Sequence, residues 1–381
     1  MDFSWSQEQT EFREKVAAFA RKELNEGLIE RDRRGEFNIE GWKKCAALGI
    51  HGLPIPEEHG GMGADALTTV GILESLGYGC KDNGLLFSIN AQIWTLETPL
   101  LTFGTEEQKK KYLPRLCGGE WIGGNAMSEP ESGSDAYSLR TTAERRGGKY
   151  ILNGSKVFVT NSSVADMVLV FATVDRDKGP QGITAFLVEK TFPGFTVGRK
   201  VNKMGLKTSP MGELFFDDCE VPAENRLGKE GAGTHLFTHS MTWERSCILA
   251  SAVGSMERLL ETCIQYARQR KQFGQSIGKF QLVASRIVDM KLRLESARSL
   301  LYKTAWLNSR GKKIFMEAAM TKLYISESWV KCAEDAIQIH GGYGYMEEFE
   351  VERELRDAIG SKLYSGTSEI QRTIIGSLLG L

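Results

Sequence analysis

A chain of 381 residues with 41% apolar and 25% charged side chains can hold two or three domains and bury a sizeable core. Its formal net charge of −1 gives no global pull toward nucleic acid or an anionic membrane, and no run of about 18 apolar residues offers a bilayer span. Seven widely spaced cysteines without a Cys-x-x-Cys point to reduced thiols in a cytoplasm, and the start Met-Asp-Phe-Ser-Trp-Ser has no secretory-signal character. The histidines show no metal-ligand spacing; His235 and His239 lie four apart without a His-Glu-x-x-His motif, so no metal is expected.

Ser6 with Gln9 forms a capping box in sequence, and Phe12, Val16 and Phe19 follow at helical spacing. A second helix is predicted over 39–48. Pro54, Pro56 and the run His59-Gly60-Gly61-Met62-Gly63 then break the pattern. That glycine run follows prolines rather than a strand and lacks Gly-x-Gly-x-x-Gly spacing, so it reads as a loop. Helices are predicted over 66–78, 85–101 and 106–116, making residues 1–120 an all-helical domain.

The stretch Asn125-Ala126-Met127-Ser128-Glu129-Pro130-Glu131-Ser132-Gly133-Ser134-Asp135 carries hydroxyls and turn formers but no apolar period. It suits either a polar ligand or an inter-domain turn. Beyond it the period changes. Tyr150-Ile151-Leu152, Asn153-Gly154 and the apolar run from Lys156 to Thr160 predict a hairpin with a type I′ turn. Further strands are expected over 167–174, 183–188 and 212–216, giving a central β-domain over 121–226.

From Gly233 the chain reads as helical through a C-terminal bundle over 227–381. Val283, Ile287, Met290, Leu294, Ala297 and Leu301 form the seam of one long helix. Gly341-Gly342-Tyr343-Gly344 interrupts the helices, and Ser368 with Gln371 is the predicted cap of the last one. Glu244 lies in line with Phe237, Met241 and Ile248, so its carboxylate projects from an apolar stripe. Such a group is either an ion-paired structural residue or a general base of raised pKa.

Several separated motifs carry a resemblance: Ala126-Met127-Ser128-Glu129-Pro130 with Gly133-Ser134-Asp135, Phe158-Val159-Thr160-Asn161, Arg270-Lys271-Gln272-Phe273-Gly274-Gln275, Phe280-Gln281, Gln338-Ile339-His340-Gly341-Gly342, and Gly366-Thr367-Ser368-Glu369-Ile370-Gln371. In order and spacing the chain resembles the acyl-CoA dehydrogenase family of flavoproteins over essentially its whole length. The resemblance implies an α+β multidomain fold: an N-terminal α-helical domain, a central β-barrel-like domain and a C-terminal four-helix bundle. It also implies FAD, a homotetramer (a dimer of dimers), and removal of two hydrogens from the α and β carbons of an acyl thioester.

On that resemblance Asn125, Ala126, Met127, Ser128, Gly133 and Ser134, with Phe158, Val159 and Thr160, hold the isoalloxazine and ribityl chain. Ser128 falls near the pyrimidine edge and Ser134 on the phosphate and substrate side. Arg270, Phe273 and Gln281 reach the FAD of a neighbouring subunit, joined by Gln338, Ile339, His340, Gly341 and Gly342, while Thr367, Ser368 and Glu369 meet FAD phosphates. Glu131 is a departure, because a carboxylate near a diphosphate is unfavourable unless it points to solvent.

Many members place the catalytic glutamate two positions before Thr-Ser, where this chain has Ser365. The resemblance then makes Glu244 the base, as in the isovaleryl-CoA type, with a Glu244-Arg245 pair. Ser134, Thr242, Trp243, Arg245, Tyr364 and Ser365 are the implied substrate-side residues, with the Ser365 N–H and the ribityl hydroxyl facing the thioester oxygen. Thr242 stands where the family often has an aspartate on the pantetheine arm, which counts against the usual CoA contact.

The whole pattern resembles the branch that oxidises L-proline on the phosphopantetheine of a small carrier protein in natural-product pathways, anatoxin-type cyanotoxins among them. Oxygen or an electron-transfer flavoprotein is the implied acceptor. Lys200, Lys203 and Lys207 are candidate docking residues for an acidic carrier. The alternatives are a short- or branched-chain acyl-CoA dehydrogenase and a flavin-binding structural protein without a base.

Overall fold

A computed structural model describes residues 4–381. The chain opens with α1 (Gln7–Glu23), whose Ser6–Gln9 capping box is formed on both sides, followed by α2 (Leu28–Arg34) and α3 (Ile39–Ala47). The proline–glycine segment is a loop with one short turn at Glu57–His59. Next come α4 (Ala66–Gly79), α5 (Asn83–Gln92), α6 (Thr98–Phe103) and α7 (Glu106–Cys117). Between α5 and α6 the helix widens into a π-helical turn, Ile93–Glu97, where the sequence period predicts plain α-helix.

The middle of the chain is one eight-stranded sheet. Its strands are β1 (Gly123–Ala126), β2 (Thr142–Arg146), β3 (Lys149–Thr160), β4 (Met167–Thr173), β5 (Ile183–Glu189), β6 (Phe195–Lys200), β7 (Met211–Pro222) and β8 (Arg226–Leu227). They lie in the order β6-β7-β3-β2-β4-β5-β8, with β1 parallel to β4. Every residue of β4 is buried, because its two faces enter different cores. Met167, Leu169 and Phe171 pack toward Leu96, Leu100 and Leu116 of the N-terminal helices, while Val168, Val170 and Ala172 pack with β3 and β7. The two-residue side-chain period of a strand produces that division.

The predicted hairpin at Asn153-Gly154 is not formed. β3 runs unbroken through both residues, and the hairpin turn lies at Gly147-Gly148, joining β2 to β3 antiparallel. The register of β3 on β7 slips between Leu152 and Gly154, so the pair marks a bulge. Gly154 has φ 147°, and a Cβ there would sit 2.6 Å from the Thr141 hydroxyl and 2.8 Å from its Cα. The signal for a turn was a demand for a residue without a side chain.

The remainder is helical: α8 (Gly233–Cys247), α9 (Ala250–Gln269), a small hairpin of β9 (Lys271–Gln272) and β10 (Gln275–Ser276), α10 (Gln281–Ser309), α11 (Phe315–His340), α12 (Val351–Ser361) and α13 (Ser368–Leu378). The bundle does not have a core of its own. Trp42, Leu76 and Ile89 from the N-terminal helices share one cluster with Val253, Met290, Leu301 and Trp329. Gly77 and Gly254 let α4 and α9 touch backbone to backbone; a Cβ on either would lie 2.0 Å from a carbonyl oxygen of the other helix. Among the described residues no helix is long and apolar enough to cross a membrane.

The cap of α13 is Thr367, whose hydroxyl accepts from the Ile370 N–H, and not the predicted Ser368. Ser368 turns inward and donates to Glu327 at 2.7 Å, and Gln371 donates to the carbonyls of Ser365 and Gly366.

Candidate active site

Glu244 sits near the C-terminal end of α8, and its stripe position takes it into the protein, where it is buried. Burial raises its pKa, opposed by a hydrogen bond from Ser365 and by the charges of Arg245 and Lys322. Ser365 Oγ donates to Glu244 Oε1 at 2.5 Å, while Oε2 is buried with no hydrogen-bond partner among the described residues. A buried carboxyl of raised pKa with one bare oxygen suits a proton acceptor.

The turn facing Glu244, from Tyr364 to Gly366, is held from three sides. Arg245 Nε donates to Ser365 O at 3.0 Å, Lys322 Nζ to Gly366 O at 2.6 Å, and Gln371 Nε2 to both carbonyls. Burial, then the Arg245 charge, lowers the Lys322 pKa to about 8. The N–H of Ser365 has no hydrogen-bond partner among the described residues. Tyr364 packs its ring on Phe87, with centroids 4.5 Å apart, and burial raises its pKa. The sequence reading did not single out Lys322, although a lysine set among Ala318, Ala319, Ile325 and Trp329 on a buried helix face was the available signal.

Trp243 stacks on Trp94 of the π-helical turn at 5.9 Å and 7° between planes, so its bulk is packed against the helical domain. Thr242 bonds back to the Thr238 carbonyl of its own helix. The same π-turn accepts from Ser240 at Trp94 O and from Asn125 Nδ2 at Thr95 O, 3.0 Å. It therefore joins α8 to the start of the polar stretch, a setting in which π-turns recur. At the other end of that stretch Tyr137 OH lies 3.1 Å from the Thr238 hydroxyl of α8.

The two expected flavin motifs are neighbours. Val157 N donates to Ser128 O at 2.9 Å, and Asn161 Nδ2 donates to Gly123 O at 2.9 Å. Ala126, Met127 and Val159 are buried beneath, whereas Gly133 and Ser134 are exposed. Phe158 is 65% exposed with φ 57°, an uncommon conformation for a bulky residue in a strand and a costly way to spend an aromatic ring unless a ligand covers it. A Cβ at Gly133, Gly341 or Gly342 would meet nothing within 4 Å, so backbone is open to an approaching group at all three. These features fit a flat, partly apolar cofactor with a polar tail.

Not every hydroxyl in the stretch is free for that purpose. Ser132 is buried and donates to Asp135 O, and Glu129 is buried, pairs with Lys156 at 2.8 Å and accepts from the Thr141 N–H. Glu131 points to solvent and pairs with the equally exposed Arg140, which removes the objection to a carboxylate near a diphosphate.

A second group gathers at the far end of the bundle. Arg270 lies over the Tyr343 ring at 5.5 Å, and Phe273, in the β9–β10 turn, is 93% exposed. Gln281, Gln338, Gly341 and Gly342 are exposed beside buried Ile339. The His340 ring is spoken for: Nδ1 lies 2.8 Å from Ala336 O, and the ring stacks on Tyr266. Thr367, Ser368 and Glu369 form the first turn of α13, with Glu369 exposed. Of the expected docking lysines, Lys200 donates to the Gly35 carbonyl and Lys203 to Ser209 O at 2.6 Å, with burial lowering the Lys203 pKa to about 8. Lys203 is therefore not a free surface charge, whereas Lys200 remains exposed.

Comparison with known proteins decides the family. The N-terminal, middle and C-terminal domain models of acyl-CoA dehydrogenase match residues 6–120, 124–219 and 231–379. The chain belongs to the acyl-CoA dehydrogenase family. An acyl-CoA dehydrogenase of Bacillus subtilis (strain 168) is 45% identical over 374 residues, 98% of each chain. The crystal structure of the prolyl acyl carrier protein oxidase AnaB superposes with a TM-score of 0.98 at 56% identity, covering 99% of this chain and 100% of that one. The structure of PigA with FAD and proline gives a TM-score of 0.97 at 42% identity, with both chains fully covered. This acyl-CoA dehydrogenase family member is thus an FAD-dependent oxidoreductase.

Proposed function

We propose that the protein dehydrogenates L-proline held as a thioester on the phosphopantetheine of a small carrier protein, with Glu244 as the α-proton acceptor. The observation that carries this reading is the buried Oε2 of Glu244, without a hydrogen-bond partner among the described residues, beside Ser365, whose hydroxyl holds the other oxygen. FAD, when bound, supplies the two-electron acceptor for hydrogen leaving the β-carbon. The chain's own residues do the rest. Glu244 Oε2 takes the α-proton, and the unpartnered Ser365 N–H donates to the thioester oxygen as negative charge builds there. Arg245 holds the turn that carries that N–H.

In this reading Asn125–Ser128 (numbers 125–128), Gly133, Ser134 and 158–160 hold the flavin. Arg270, Phe273, Gln281, 338–342 and 367–369 serve the FAD phosphates and adenosine across a tetramer interface. The product is a dehydroprolyl thioester that isomerises to a pyrroline-carboxyl thioester. The similarity to AnaB, a prolyl acyl carrier protein oxidase, and to PigA with FAD and proline supports proline as the acyl group and oxygen as an acceptor.

A second reading, a short- or branched-chain acyl-CoA dehydrogenase, is favoured by the 45% identity to the Bacillus enzyme. Mixing the FAD enzyme anaerobically with prolyl-loaded carrier protein or with isovaleryl-CoA separates the two. Flavin bleaching by the prolyl carrier is expected. Faster bleaching by the CoA ester would contradict the proposal.

A further inference from the structure

Ser365 has φ 59°, a left-handed conformation that side chains with a Cβ rarely adopt. Three elements hold it there. Arg245 from α8 and Gln371 from α13 donate to its carbonyl at 3.0 and 3.1 Å, and Lys322 from α11 donates to the next carbonyl at 2.6 Å. With the backbone so fixed, the Ser365 hydroxyl is delivered to one oxygen of Glu244, at 2.5 Å. The other oxygen is left buried and bare. A carboxylate with no anchor could rotate and present either oxygen; this one is tied by one corner.

We propose that Ser365 is a positioning residue: its hydroxyl holds Glu244 Oε1, so that Oε2 alone faces the substrate's α-proton, and the clamp from α8, α11 and α13 on the turn sets that geometry. The inference rests on Glu244 being the base. It also carries a pH signature. The groups facing Glu244 are Arg245 on its own helix, Lys322 from α11, and Tyr364 and Ser365 from the turn. Burial raises the carboxyl's pKa, and the Ser365 hydrogen bond is the largest effect working against it. Without the hydroxyl the group titrates higher, a smaller fraction is ionised at neutral pH, and the rising limb of the pH–rate profile moves up.

The test uses Ser365→Gly, since glycine accepts the left-handed backbone while the hydroxymethyl side chain that holds Glu244 is lost. Infrared pH-difference spectra of the holoenzyme, with the carboxyl band assigned by its disappearance in Glu244→Gln, read the titration directly and need no substrate. The midpoint is expected to rise, and flavin reduction by prolyl-loaded carrier protein to slow about tenfold at pH 7. FAD content, melting temperature and KM are expected to stay at wild-type values. Ser365→Asn, which tolerates the same backbone and restores a donor, should recover part of both changes. An unchanged midpoint and rate in Ser365→Gly, with Glu244→Gln inactive, would overturn the positioning role while leaving the base in place. A Glu244→Gln enzyme that reduces its flavin at the wild-type rate would instead remove the base reading on which this rests.

Discussion

Glu129 and Lys156 are both shut away from water, 2.8 Å apart, beneath Met127 and Ser128, which are proposed to face the flavin. Lys156 also donates to Met127 O at 3.1 Å, so the pair fixes the backbone of the proposed flavin cradle. Burial pulls the Lys156 pKa down to about 8 even though Glu129 works against that shift. Replacing Glu129 by Gln leaves a buried cation without its counter-charge, a loss of about 3–5 kcal/mol in comparable cases. Lower thermal stability and weaker FAD retention are therefore expected, read by differential scanning fluorimetry and flavin absorbance; an unchanged melting temperature would show the pair to be dispensable. Residues of this kind were only partly legible. The buried face of Glu244 followed from helical spacing, because that is a local property. Its partner Ser365 lies 121 positions away, and nothing in a single sequence reports so distant a contact. Glu131 drew attention by its charge, yet its neighbour Glu129 is the carboxylate that organises the loop.

Helices were the most readable elements, since caps and apolar stripes fixed α1, α3, α4, α7 and the seam of α10. Where the sequence misled, a residue served a purpose other than its usual one. Gly154 has the sequence context of a turn; in β3 it makes room for Thr141. Gly154→Ala is expected to cost about 1–3 kcal/mol, as overpacking of a closed contact does, and to lower the melting temperature without changing flavin reduction at ambient temperature. Full stability in that variant would show that the strand can shift to accommodate a Cβ. The π-turn Ile93–Glu97 was invisible for another reason: its apolar residues satisfy an α-helical period nearly as well, and the carbonyls it presents are taken up by Asn125 and Ser240, distant in sequence.

At the scale of the whole molecule, one core joins the N-terminal helices to the bundle, and the sheet sits against them through β4. Glu244 lies where these parts meet: its helix touches the π-turn at Ser240 and Trp243, the polar stretch at Thr238, and the turn before α13 at Arg245. The outer face of α10 behaves differently, leaving Leu282 84%, Val288 57% and Leu292 61% exposed, next to the bare Phe273. Apolar surface of that extent on one helix calls for a partner. The tetramer reading predicts a light-scattering mass near four times the chain's 42.4 kDa. It further predicts that Leu292→Glu yields smaller species that lose FAD. A monomeric wild-type holoenzyme would contradict it.

The central claim is that Glu244 removes the α-proton. Anaerobic stopped-flow measurement of flavin bleaching by prolyl-loaded carrier protein, comparing wild type with Glu244→Gln at equal FAD content, tests it most directly. The account predicts a rate lower by about 100- to 10,000-fold in the variant, the range that a positioned general base contributes. Bleaching at the wild-type rate would contradict it.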